Sequence, residues 1–370
     1  MGELINNKRL ASLDALRGFD MFWIIGADVF FKQWAKVSGG PVLGLMSENL
    51  THVSWNGFSL YDLIFPLFLF LAGVSTPFSV GRQLEKGKDR KELLLKVVRR
   101  SLTLVLLGVI YNNGLKLQPI EQMRLGSVLG RIGLAYMFAN IIYLYAGKHW
   151  RAFWTVSILV GYRMLLGFFA APGFSAGDMT LEGNVVSYID RILMPGKLLV
   201  GGIHDPEGLI STVPAIATGL MGIYTGEWLR SEKIDGNKKA LGMVVAGLVL
   251  LGVAQAWNLF FPINKNLWTS SFTLQCAGLS LLLMAVFYYV IDVKGFTKWA
   301  FFFRVIGMNS ILIYMSGIFI NWSYATRSMF QWLAQLGGEQ YGAVILAGAA
   351  IMVRWLFLYF LYRKKIFLSV

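Results

Sequence analysis

The chain has 370 residues, of which 56% are hydrophobic and only 15% charged, and its formal net charge is +14. A soluble domain of this size carries far more charge, so a soluble globular fold is excluded. The Lys and Arg cluster in short segments between apolar runs, so the positive charge reads as a membrane-topology signal and not as a nucleic-acid surface.

Apolar runs long enough to cross a hydrocarbon core of roughly 30 Å recur from end to end. The predicted architecture is all-α: a polytopic membrane protein with about ten transmembrane helices in one domain over 1–370, because a lipid-facing helix satisfies its own backbone. In chain order the predicted spans are 12–33, 58–80, 94–112, 124–146, 150–170, 207–228, 240–261, 270–291, 301–321 and 341–361. Residues 1–11 are polar and the first apolar run lacks a small-residue cleavage site, so no cleavable signal peptide is expected. The connecting segments alternate in charge, with eighteen Lys and Arg on one side against eight on the other. The richer side is expected to be cytoplasmic. Both termini then lie in the cytoplasm, and three long segments, about 34–57, 171–206 and 322–340, lie outside. Long loops carry function more often than short ones. His52 lies in the first and His204 closes the second. The single Cys276 excludes disulfides and cysteine metal sites within one chain, and no metal is expected.

Six constellations carry chemistry. In the first span Asp14 and Arg17 are three apart and share a helix face; Asp20 continues that side and Asp28 lies deeper. Charges at membrane depth are costly, so this face looks into the bundle or a wet cavity. Next come His52 and Asp62. An imidazole is the usual base near neutral pH, and a carboxylate can orient it; it can also carry an acyl group as nucleophile. Trp55 and Asn56, an aromatic face and an amide, suit recognition of a sugar. Ser59-Leu60-Tyr61-Asp62 also fits a capping box, which would make Asp62 a helix cap and His52 an ordinary loop residue. Arg124 and Arg131 are seven apart on one predicted helix face, suited to a phosphate-bearing ligand, with Gly126, Gly130 and Gly133 at close-packing spacing. His204 precedes Asp205-Pro206-Glu207, which reads as a helix start. Asn264 to Ser271 gather Lys265, Asn266 and Trp268 in a short loop, and Asn309 lies inside the ninth span, where amides often serve as interhelical glue.

There is no Walker A loop, HExxH or GxSxG, so ATP-driven transport, zinc proteolysis and lipase chemistry lack support. Taken in order, RLASLDALRGFD (9–20), THVSWNGFSLYDLIFPLFLFLAG (51–73), RLGSVLGRIGLAY (124–136), DPEGLISTVPAIATGLMG (205–222), NKNLWTSS (264–271) and GMNSILIY (307–314) resemble the heparan-alpha-glucosaminide N-acetyltransferase family of transmembrane acyltransferases. The similarity is to shorter bacterial members, which implies a bacterial inner membrane. The resemblance implies transfer of acetyl from cytosolic acetyl-CoA to an amino sugar or glycan across the membrane, and a homodimer. His52 would be the family's active histidine and Asp62 the acid of its DL-FP motif. From their own chemistry Arg124, Arg131, Arg17 and Lys265 are assigned to acetyl-CoA, with Arg124, Arg131 and Lys265 also open as acceptor contacts, and Trp55, Asn56, Asn266, Trp268, His204 and Asn309 to the acceptor. Two mechanisms stay open, an acetyl-His52 intermediate or direct transfer with His52 as base. So do two other functions: a non-catalytic transporter or flippase of a sugar conjugate, and O-acetylation of a cell-envelope polysaccharide.

Overall fold

A computed structural model of the chain describes residues 10–116 and 118–368; Lys8 and Arg9, which enter the charge bias, lie outside them. The described residues form no strand, only helices. These are α1 (Ala11–Phe22), α2 (Asp28–Ser38), α3 (Pro41–Asn49), α4 (Ile64–Thr76), α5 (Arg82–Glu85), α6 (Arg90–Asn113), α7 (Val128–Tyr145) and α8 (Lys148–Phe168). After them come α9 (Val185–Leu193), α10 (Thr212–Arg230), α11 (Gly236–Asn258), α12 (Ser270–Tyr288), α13 (Phe301–Gly307), α14 (Ser310–Phe319), α15 (Trp322–Leu336) and α16 (Gly338–Arg363).

Helices occupy all ten predicted spans, but among the described residues only five are long and apolar enough to cross a membrane: Leu60–Glu85, Val128–Tyr145, Gly236–Asn258, Ser270–Val293 and Gly338–Arg363. Counting α13 and α14, which meet at a 63° bend, as one broken span gives six. The other predicted spans fall short for local reasons. The first breaks after twelve residues at Phe22, and α6 carries Arg90, Lys91, Glu92, Lys96, Arg99 and Arg100. The three long connecting segments each hold a short helix, α3, α9 and α15.

The chain divides into two compact units. One comprises Met1–Val53, Ser59–Ile64 and Leu283–Val370; the other comprises Ser54–Phe58 and Phe65–Leu282. In the first unit α1 lies against α13 so closely that a Cβ on Gly18 would collide with the carbonyl of Phe303, and one on Gly307 with the carbonyl of Asp14. The N-terminus of α1 gives its Ala11 and Ser12 amides to the Asp292 carboxylate, at 3.3 and 3.2 Å. Its C-terminal end runs into a π-helical turn, Trp23–Ala27, where Gly26 takes φ +123°. The turn loosens the backbone ladder, and the Ile25 carbonyl accepts from Arg354 Nη1 of α16 at 2.9 Å. A π turn of this kind changes the direction in which all later side chains of the segment point. The residue that follows it is Asp28.

In the second unit α4 and α10 pack backbone to backbone. A Cβ on Gly222 would strike the Phe70 carbonyl, and one on Gly226 the Val74 carbonyl. Gly133 of α7 meets the Ser101 carbonyl of α6 in the same way, as its spacing predicts, whereas Gly126 precedes α7 and lies against the Asp205 carboxylate. The apolar interior of this unit includes Tyr162, Leu166, Val185, Val186, Phe261 and Leu267, with Trp55 packed against it.

Because Gly222 has no room for a side chain, Gly222→Leu should lower the thermal midpoint of the detergent-purified protein by an amount matching about 1–3 kcal/mol of overpacking. Gly252, which has open space around its Cα, supplies the control. Equal melting of Gly222→Leu and Gly252→Leu in a thermal-shift assay would refute the close approach.

Candidate active site

The first unit contains His52 and Asp62. Asp62 sits in the 3-10 turn Leu60–Leu63 that leads into α4. Its side chain is fully enclosed, 0% exposed, while the His52 side chain is 50% exposed. The His52 Nδ1 lies 2.6 Å from Asp62 Oδ1. The other carboxylate oxygen accepts from the Ser59 amide at 3.0 Å and from Ser59 Oγ at 3.1 Å. Cap and imidazole partner are thus two ends of one carboxylate. With Asp62 ionised, the short contact puts the ring proton on Nδ1 and leaves Nε2 as the basic nitrogen. That arrangement suits proton abstraction or nucleophilic attack by Nε2.

Around the pair, the Tyr61 ring centroid lies 4.8 Å from that of His52. Tyr61 donates its hydroxyl to Asp28 Oδ2 at 3.3 Å, and Lys32 approaches the same oxygen at 3.7 Å. Tyr61 and Lys32 escape a search for catalytic motifs; the available signals are the i,i+4 spacing of Asp28 and Lys32 and the place of Tyr61 beside Asp62. Arg17 pairs with Asp14 at 3.5 Å, as the shared helix face predicts. Asn309 is buried at the α13–α14 bend, where it donates to the Ile366 carbonyl and accepts from the Leu368 amide, both at 3.0 Å.

The other candidates belong to the second unit. No helix starts at Asp205-Pro206-Glu207, since α10 begins at Thr212. Asp205 Oδ1 instead accepts from the Glu207 amide at 2.9 Å in a side-chain-closed turn. The reason is Arg124, which forms two 2.8 Å bonds to Asp205 and a further one to Glu207. Arg124 also precedes α7, so it does not share a helix face with Arg131. The two guanidinium groups nonetheless converge on one segment, because the buried Arg131 donates to the Pro206 carbonyl and to Ser211. Trp268 is wholly enclosed and adopts φ +51°, a left-handed conformation rare for a bulky residue. Its ring centroid lies 4.8 Å from the Arg131 guanidinium. Lys265 and Asn266 are half-buried. Asn264 bonds Asn56 at 3.0 Å, and the Trp55 indole donates to the Met179 carbonyl at 2.9 Å.

His204 is enclosed, with Nδ1 2.8 Å from Ser187 Oγ and its ring edge-on to Trp55. Burial pushes its pKa down to about 4. Burial pushes the carboxyl of Asp190, on α9, up to about 6. Burial also works against the Asp205 carboxylate, but the bonds and charge of Arg124 hold it below the usual range.

No protein-family model matches the chain. Two curated proteins are similar to it along most of its length. The mouse protein named heparan-alpha-glucosaminide N-acetyltransferase is 29% identical across 85% of the chain. The human protein of the same name is 27% identical across 97%. The chain spans only 56% and 59% of the length of these relatives.

His204 and Asp190 bear on stability with opposite signs. Between pH 6.5 and 4 the unfolded chain takes up a proton that folded His204 refuses, so the stability it contributes is lost as pH falls. Between pH 6 and 3.8 folded Asp190 takes its proton first, so falling pH favours the fold. Asp190→Asn should therefore steepen the drop in melting temperature from pH 6 to 4, and His204→Gln should lessen it. Identical pH slopes in the two variants would refute the assignment.

Proposed function

Because the chain is a relative of the heparan-alpha-glucosaminide N-acetyltransferases over most of its length, we propose that it is a membrane-embedded acetyltransferase. It transfers acetyl from cytosolic acetyl-CoA to an amino-sugar or glycan acceptor on the opposite side of the bilayer. The observation that carries the reading is the His52–Asp62 pair, a half-exposed imidazole held at Nδ1 by a fully enclosed carboxylate. The Lys and Arg bias supports the topology in which all ten helical segments span, both termini are cytoplasmic and His52 faces outward. In the same reading the membrane is a bacterial inner membrane and the working form a homodimer.

The step follows from the pair. His52 Nε2 takes a proton from the acceptor amine as its nitrogen attacks the thioester carbonyl. The C–N bond forms, the C–S bond breaks, and CoA leaves as its thiolate, which then picks up a proton. Asp62 stabilises the imidazolium that forms on His52 and keeps Nε2, not Nδ1, as the accepting atom. Arg17, a partly exposed cation of the same unit as His52, is the contact assigned to the anionic donor. Arg17 pairs with Asp14, and Arg124 and Arg131 have partners that suit a role in holding the 205–211 segment.

Purified protein given acetyl-CoA and glucosamine should release CoA thiol. His52→Ala should lower kcat by about 10²–10⁴-fold, and Asp62→Asn, which disturbs the tautomer, by at least about 10²-fold. Wild-type turnover in His52→Ala would sink the reading. Radiolabel retained on the protein when acceptor is withheld would replace direct transfer with an acetyl-His52 intermediate.

A further inference from the structure

We propose that Tyr61, fixed in turn by Asp28, is a positioning residue that sets the plane of the His52 ring. The inference rests on the acetyltransferase reading and extends it to residues outside the His52–Asp62 pair. The hydrogen bond to Asp62 fixes one atom, Nδ1, but leaves the ring able to swing about that contact. His52 also lies in the irregular stretch between the end of α3 at Asn49 and the turn that begins at Leu60. A second contact on the face of the ring is what defines its plane, and Tyr61 supplies it, with centroids 4.8 Å apart and planes at 49°.

Tyr61 is itself held at its far end. Its hydroxyl donates to Asp28 Oδ2. Lys32 lies one helical turn on, 3.7 Å from the same oxygen and 5.3 Å from the Tyr61 ring centroid. Asp28 reaches this place because of the π turn before it. In a continuous α-helix the extra residue would be absent and every later side chain would be rotated by about 100°. The turn is sustained by Gly26 at φ +123° and by Arg354, whose guanidinium occupies the Ile25 carbonyl. The backbone irregularity, the partly buried arginine, the acid and the tyrosine form one connected chain of contacts that ends on the imidazole face. If Tyr61 merely tied α2 to the turn before α4, removing it would lower stability and leave the turnover of folded protein unchanged.

The test measures CoA-thiol release by folded, monodisperse full-length protein, with kcat and KM for acetyl-CoA determined separately, in wild type, Tyr61→Leu, Tyr61→Phe, Asp28→Asn and His52→Ala. Tyr61→Leu should lose on the order of 10² in kcat, the size of effect a misplacement near 1 Å produces, with KM nearly unchanged. Tyr61→Phe keeps the ring on His52 and should recover about tenfold of that loss, retaining a deficit of about tenfold that Asp28→Asn reproduces. Wild-type kcat in folded Tyr61→Leu, beside an inactive His52→Ala, overturns the positioning role alone. Should Tyr61→Leu fail to fold, wild-type kcat in both Tyr61→Phe and Asp28→Asn overturns it equally. An active His52→Ala instead overturns the parent reading.

Discussion

Asp62 is a carboxylate with no exposure to water, and the surrounding structure answers the cost of that burial. An ionised carboxylate removed from solvent needs close donors on both oxygens. Oδ2 receives two from Ser59, so the acid ends the irregular 51–59 stretch and starts the helical turn at once. Oδ1 is left for an imidazole, and His52 provides it. The positive end of the α4 segment adds a favourable field at the same point. One buried charge thereby joins a cap to a site. Because the cap is built into the start of a long apolar helix, the imidazole partner cannot drift without disturbing that helix.

The same requirement, that polar groups at membrane depth find partners inside the protein, explains the helix breaks. At Trp23–Ala27 the freed carbonyl of Ile25 is taken by Arg354. At the α13–α14 bend the buried amide of Asn309 faces a carbonyl and an amide of the 366–368 tail. In the first case a side chain distant in sequence completes the irregular backbone; in the second a side chain at the bend completes the backbone of a distant tail. Such breaks also redirect side chains, which is how Asp28 comes to face Tyr61 and not the next residue of a straight helix.

Much of this was legible in sequence. Runs of apolar residues located every long helix, since periodicity and hydrophobic length are local properties. The capping-box spacing of Ser59 and Asp62 and the pairing of Asp14 with Arg17 were local as well. What sequence left hidden was non-local. Asp205-Pro206-Glu207 has every mark of a helix start, yet Arg124, 81 residues from Asp205, holds Asp205 and Glu207 in a turn. Trp268 reads as an interfacial aromatic, yet its loop turns through a left-handed residue and carries the ring beneath Arg131. Sequence leaves Asp62 two roles, helix cap and imidazole partner, and geometry gives one oxygen to each.

That difference between local and non-local signals also bears on how the cations should be read. A pair of arginines in an apolar chain invites a phosphate, because their charge looks unspent in one dimension. In the folded second unit Arg124 faces two carboxylates, so the trio carries no net positive charge to attract an anion. Arg131 is enclosed, its guanidinium engaged by a carbonyl, a hydroxyl and an indole face. Releasing either would leave a buried charge or acceptor without its partner, a penalty of about 3–5 kcal/mol for a broken buried pair. The two arginines therefore hold the 205–211 segment that leads into α10.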